Sequence, residues 1–151
     1  MISRKPPTIE VTVVFRAPCG NLGGAVFSDS IRLVLRHEKR RAAMISCAVV
    51  SDDEIHELNR RFLKHDYPTD IITFPLEDDP LEAELVISAD TARRQAKEYG
   101  VTMREECARL AIHGILHLCG YDDRSETDRL AMSKKEDFYL KQLKKKDRTQ
   151  Q

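Results

Sequence analysis

The sequence predicts an α+β fold: a single domain in which a small mixed β-sheet of about four strands is packed with about five helices. Three observations carry that expectation. Short runs rich in β-branched residues, bounded by glycine, proline or acidic turns, punctuate the first ninety residues. Longer stretches with apolar residues at helical spacing alternate with them and then take over. The chain has 151 residues, 41% hydrophobic and 33% charged, which suits one buried core rather than a disordered polymer.

Residues 1–8 read as a loose leader. Segment 9–15 (IEVTVVF) is a strand, its β-branched side chains fitting a pleated surface. Pro18, Gly20, Gly23 and Gly24 make 17–24 a loop. Over 28–43, Ile31, Val34 and Leu35 fall on one helical face with basic residues opposite. Segment 45–50 is a second, almost wholly apolar strand. Ser51-Asp-Asp-Glu54 is a capping box that opens a helix to about Leu63. A loop over 64–70 precedes a short strand, 71–74, which Pro75 closes because proline has no amide hydrogen for a ladder. The acidic stretch 77–82 reads as an exposed loop before a strand over 83–88. A helix over 90–99 stops at Gly100, and Thr102 caps the next one, which reaches Leu118. Ser125-Glu-Thr-Asp128 opens a last helix to about Lys145, leaving 146–151 as a tail of a domain that otherwise spans 1–151. The order is βαβαββααα.

Twenty-five basic and 25 acidic residues cancel, so bulk charge does not announce a nucleic-acid binder. The charges are segregated, however: 36–41 (RHEKRR) and 141–148 are basic, 77–84 acidic. Cys19, Cys47, Cys107 and Cys119 form no CxxC pair and read as small buried residues of a reducing compartment. No apolar run approaches the ~20 residues that span a bilayer. The first residues lead into a strand rather than a signal-peptide core, which makes the cytoplasm the expected location, with no membrane partner.

The chemistry is concentrated in His113-Gly-Ile-Leu-His117-Leu-Cys-Gly120-Tyr-Asp-Asp123. Two histidines four apart share a helical face with Cβ atoms roughly 5–6 Å apart, a spacing at which both imidazoles reach one metal ion. Gly120 ends the helix, and the chain folds back to offer a third ligand at Asp123, with Asp122 as a possible substitute. Three protein ligands leave one position open, the catalytic arrangement. Cys119 falls off the ligand face. The spacing is that of a zincin-like metal site, but peptidases of that type carry a glutamate general base directly after the first histidine, and here that position is Gly114.

HGILHLCGYDD resembles the HGxLHLxGYDH signature of the YbeY-type rRNA maturation factors, metal-dependent endoribonucleases of bacteria. Leu58 to Pro75, LNRRFLKHDYPTDIITFP, resembles the family's LNxxYRxKDxPTDVLSFP, and 83–88 (AELVIS) its GDIxIS strand. The three blocks keep their order and spacing over about residues 45–140. The departures are specific: Asp123 stands where the family has its third zinc-ligating histidine, Leu63 where it has an arginine, and Ala83-Glu84 for Gly-Asp.

The resemblance implies a single-strand-specific endoribonuclease acting in rRNA maturation and ribosome quality control. It implies one zinc ion, other divalent metals being possible, on His113, His117 and Asp123, and single-stranded RNA with the small ribosomal subunit or its proteins as partners. Arg60, Arg61 or Lys64 would replace the arginine lost at Leu63 and stabilise phosphate charge, with His65 as an acid or base. Two other readings stand beside this one. One is a ribosome-associated factor whose metal only staples the last loop, kept open by Leu63 and Asp123. The other is a metalloprotease-like hydrolase, disfavoured by Gly114.

Overall fold

The computed structural model describes residues 7–149, and its elements follow the order read from the sequence. They are β1 (Ile9–Phe15), α1 (Ala25–His37), β2 (Ala43–Val50), α2 (Asp52–Leu63), β3 (Ile71–Glu77), β4 (Leu81–Ser88), α3 (Ala89–Tyr99), α4 (Met103–Leu118) and α5 (Glu126–Thr149). The four strands lie in the order β1-β2-β4-β3. Strand β2 is parallel to both β1 and β4, whereas β3 runs antiparallel to β4, so the sheet is mixed.

Alternation along the strands sorts side chains onto two faces. Ile45, Cys47 and Val49 of β2 and Ala83, Leu85 and Ile87 of β4 join the large core under α1, α4 and α5. Val50, Ile72 and Val86 point the other way, into a small core closed by Ile55 of α2. Helix α4 is the hub: Cys107, Ala108, Leu110, Ala111, Ile112, Ile115 and Leu116 are all buried. Gly114 explains how α4 lies so close to the sheet, since a Cβ there would meet Ile71 Cδ1 at 2.8 Å and Leu85 Cδ2 at 3.0 Å. The four cysteines are free thiols.

Several boundaries differ from the sequence reading. Helix α1 begins at Ala25 and ends at His37, not at residue 43: Lys39 adopts φ +63° and the Arg40 amide donates back to the Leu35 carbonyl. Ala43 then pairs with Ile9 and Leu81, so ladder bonds override the good helical propensity of the RHEKRR run. Pro75 does not close β3, which continues to Glu77 with Pro75 opposite Ala83. Because β3 is an edge strand, an absent amide hydrogen leaves no neighbour unsatisfied. The acidic 77–82 segment is therefore the tip of a β3–β4 hairpin rather than a free loop. Helix α5 extends beyond Lys145 to Thr149; of the expected leader, residues 1–6 lie outside the described residues.

Candidate metal centre

Helix α4 brings His113 and His117 to its one polar stripe, and the turn after it returns Asp123 to the same point. Cys119 caps α4, Gly120 takes φ +104°, and the Tyr121 amide donates to the Leu116 carbonyl, closing the reversal. The Tyr121 hydroxyl donates to Glu38 at 2.7 Å, which pins the returning loop to the end of α1. The three side chains converge. His113 Nε2 and His117 Nε2 are 3.1 Å apart, and Asp123 Oδ2 lies 3.5 Å from the first and 3.2 Å from the second. Tetrahedral zinc with bonds of ~2.0–2.1 Å separates its ligand atoms by about 3.3 Å. The donor set therefore fits one small divalent ion, as two imidazoles and a carboxylate should. The same set suits manganese, iron or nickel.

A second layer fixes the ligands. His113 Nδ1 donates to Glu136 Oε2 at 2.7 Å, which turns Nε2 toward the metal position. Glu136 is 6% exposed and is itself held by Arg109 Nη1 at 2.9 Å, while Arg109 Nη2 reaches Asp137 at 2.7 Å. Burial opposes the His113 imidazolium, yet the hydrogen bond and charge of Glu136, with Asp123 and Asp70 adding to them, hold its pKa above the ordinary value. One turn before Arg109, Glu106 is 3% exposed. Burial, reinforced by the charges of Asp70 and Glu136 and opposed by Arg109, pushes its carboxyl up to about 7.

The three ligands open onto a cleft of about 360 Å³ between α4 and the end of α2, lined also by Leu63, Thr69, Asp70, Ile71, Ile72 and Thr73. Asp70 is its remaining carboxylate. Gln95 Nε2 donates to Asp70 Oδ2 at 3.2 Å, and the Ser88 amide holds the Asp70 carbonyl at 2.9 Å.

The sequence also pointed to Arg60, Arg61, Lys64 and His65, and none of them lines this cleft. Arg60 lies along α2 in a pair with Glu57 at 2.7 Å. Arg61 and Lys64 are exposed, Lys64 as the left-handed cap of the helix. His65 Nδ1 faces the Tyr67 hydroxyl at 2.6 Å. Leu63 occupies the inward position on the last turn, so the side chain that reaches the site there is apolar. Glu136, Arg109 and the cleft-facing role of Asp70 were not found from sequence. Asp70 fell at the end of the loop read over 64–70, and nothing in SKKEDFY distinguishes Glu136 from its neighbours.

The family model described as Endoribonuclease YbeY matches residues 24–144. Proteins named Endoribonuclease YbeY are similar over most of the chain. That of Chloroherpeton thalassium is 43% identical over 115 residues, covering 76% of this chain and 82% of the relative. That of Chlorobaculum parvum is 36% identical over 132 residues, covering 87% and 94%. The solution structure of TM1509 from Thermotoga maritima superposes with a TM-score of 0.67 at 26% identity, covering 93% of each chain.

Proposed function

The chain belongs to the YbeY endoribonuclease family, and on that premise we propose that it is a metal-dependent hydrolase cutting single-stranded RNA in rRNA maturation and ribosome quality control. The mutual distances of 3.1, 3.5 and 3.2 Å among His113, His117 and Asp123 carry the reading, because they are those of ligands to one ion. Zinc is the proposed metal. When bound, it supplies a Lewis acid for the phosphoryl group and eases ionisation of water near neutral pH.

The chain's own residues do the rest. His113 and His117 present their Nε2 atoms to the metal position, and Glu136 orients the His113 ring by accepting from Nδ1. Asp70 accepts a proton from the attacking water as its oxygen bonds to phosphorus; the ester P–O bond breaks, and that proton passes to the departing oxygen. Gly114 argues against peptide hydrolysis, since it puts no carboxylate directly after the first histidine and packs against Ile71, Thr73 and Leu85 of the sheet. We propose the cytoplasm as location and the small ribosomal subunit as partner; no helix among the described residues is long and apolar enough to cross a membrane.

Cleavage of a single-stranded RNA tests this, with metal-replete protein beside chelator-treated protein and the His117→Ala variant. Loss of cleavage in both controls is expected. Equal cleavage in all three would point to a contaminant, and none from folded, metal-loaded protein would favour a factor that binds without cutting. Within the same assay, Asp70→Asn should lower kcat by ~10²–10⁴ with RNA affinity retained.

A further inference from the structure

The basic run 36–41 has no part in the metal centre, yet the fold gathers it into a second cleft. Arg36 on the last turn of α1, Lys39, Arg40 and Arg41 beyond it, and Arg32 one turn earlier line a cavity of about 880 Å³ beside Ile9 of β1. Among the described residues, none of these five cations has a carboxylate within ion-pairing distance. Arg32 donates to the Ile9 carbonyl and Arg40 to the Asp78 carbonyl at 3.4 Å. Those bonds orient two guanidinium groups without neutralising them. Cations in the last helical turn complement the helix dipole, which accounts for Arg36 but not for Lys39, Arg40 and Arg41 beyond the helix. In a chain of zero net charge, five unpaired cations in one concavity raise a local positive potential that a polyanion relieves.

Arg40 links this cleft to a neighbouring groove that reaches the metal centre. Arg40 touches Asp78 on one side and Cys119, the cap of α4 two residues after His117, on the other. Asp78 and His117 line a common groove with Thr73 and Leu81, and Thr73 and His117 also line the metal cleft. We propose that the cationic cleft is a subsite for the phosphodiester backbone of the RNA substrate, engaging nucleotides several positions from the scissile bond. The inference rests on the nuclease reading above. Glu77 and Asp78 line the connecting groove at the hairpin tip, so phosphates crossing it would lie on the side toward α1.

The test is RNA binding by the metal-loaded protein, read immediately after mixing, before cleavage accumulates. Arg36→Glu/Arg41→Glu reverses two exposed cations without removing a contact from the core. Lys97→Glu/Lys141→Glu, on exposed parts of α3 and α5, makes the same change in net charge elsewhere. With single-stranded RNA of about 12 nucleotides, the cleft variant should bind ~10-fold more weakly at low salt, and its log–log salt slope should fall by about 1.4. The control pair should change neither. RNA of about 4 nucleotides, spanning only the metal cleft, should bind all three proteins alike. Equal losses in the cleft and control variants, or an unchanged slope in the cleft variant, would overturn the subsite while leaving the nuclease reading intact. Wild-type protein that binds no RNA of either length would remove both. Self-association that disappears in the cleft variant, without a change in RNA affinity, would assign the cleft to the acidic hairpin of a second copy instead.

Discussion

The two walls of the metal cleft are built on opposite terms. On the α4 wall, both histidines rise from a helix buried on most of its circumference, and His113 is tied through Glu136 to Arg109. On the facing wall, the last turn of α2 and the loop after it are exposed from Arg60 to Pro68, with Leu63 at 45%. The first wall holds ligand atoms to within a few tenths of an ångström of one geometry, as a metal site demands. The second, on the proposed function, faces the RNA strand, and few buried contacts there leave it free to adapt. Substitutions should therefore act on stability and metal affinity on one side, and on RNA affinity on the other.

The largest effect is expected where α4 touches the sheet. Gly114→Ala inserts a methyl group 2.8 Å from Ile71 Cδ1, a side-chain end that can shift, and its gain in helix propensity offsets the crowding, so the net change should stay within about 1 kcal/mol. Gly114→Glu must also bury a carboxylate and should cost more than about 3 kcal/mol, without creating peptidase activity. Urea unfolding measures both. A midpoint shared by wild type and Gly114→Glu would show that the α4 wall yields as readily as the α2 wall.

Next comes the hydrogen bond behind the metal. Glu136→Gln keeps an oxygen acceptor for His113 Nδ1 but removes its charge, and should weaken zinc binding about tenfold. Glu136→Ala removes both and leaves Arg109 with Asp137 alone, so the loss should approach ~100-fold. Competition with a chromogenic chelator reads these affinities directly. Lys64→Ala, on the opposite wall, should leave them unchanged; a comparable loss there would erase the distinction between the walls.

Glu106 gives the same wall a pH signature. Its carboxyl is raised to about 7 in the folded chain by burial and ionises near 4.3 when unfolded. Below both values it imposes no penalty; as pH rises between them the unfolded state loses its proton first, so stability falls until about pH 7 and then levels. Glu106→Gln removes that loss. The variant should be about 1–2 kcal/mol more stable than wild type at pH 8, with the difference closing toward pH 4. A constant difference across pH would mean that Glu106 does not hold its proton in the folded chain.

Legibility in the sequence follows the same division. His113 and His117 are four apart on a helix, and helical period alone places them together; Gly120 and the short return made Asp123 visible as well. These are local relations, fixed by dihedral angles within a dozen residues. Glu136 is not local. Which acidic residue of α5 turns inward depends on how a mostly polar 24-residue helix docks on α4, and its sequence carries little amphipathic signal. Arg60, Arg61, Lys64 and His65 were legible as a cationic segment but not as to direction: the phase of α2 sets Arg60 and Arg61, and the left-handed Lys64 sets where the chain turns before His65. The strand order was likewise beyond local reading, and with it the tolerance of β3 for Pro75: only the position of β3 at the sheet edge makes that proline harmless.

The smallest effect on stability is expected at Leu63, where the exposed wall reaches into the cleft. Its side chain is 45% exposed, so Leu63→Arg should change unfolding free energy by no more than about 0.5 kcal/mol. The position nevertheless faces the metal ligands across the cleft and corresponds to the arginine of the family segment that this stretch resembles. A guanidinium there would reach the phosphate that the cleft must hold, so RNA affinity should rise a few-fold and its salt slope steepen by about 0.7. Zinc affinity should fall slightly at most, since the like charge acts across solvent. If Leu63→Arg instead unfolds the protein, or leaves RNA affinity and slope untouched, the α2 wall is not where the substrate lies, and its exposure would reflect only the surface position of a loop.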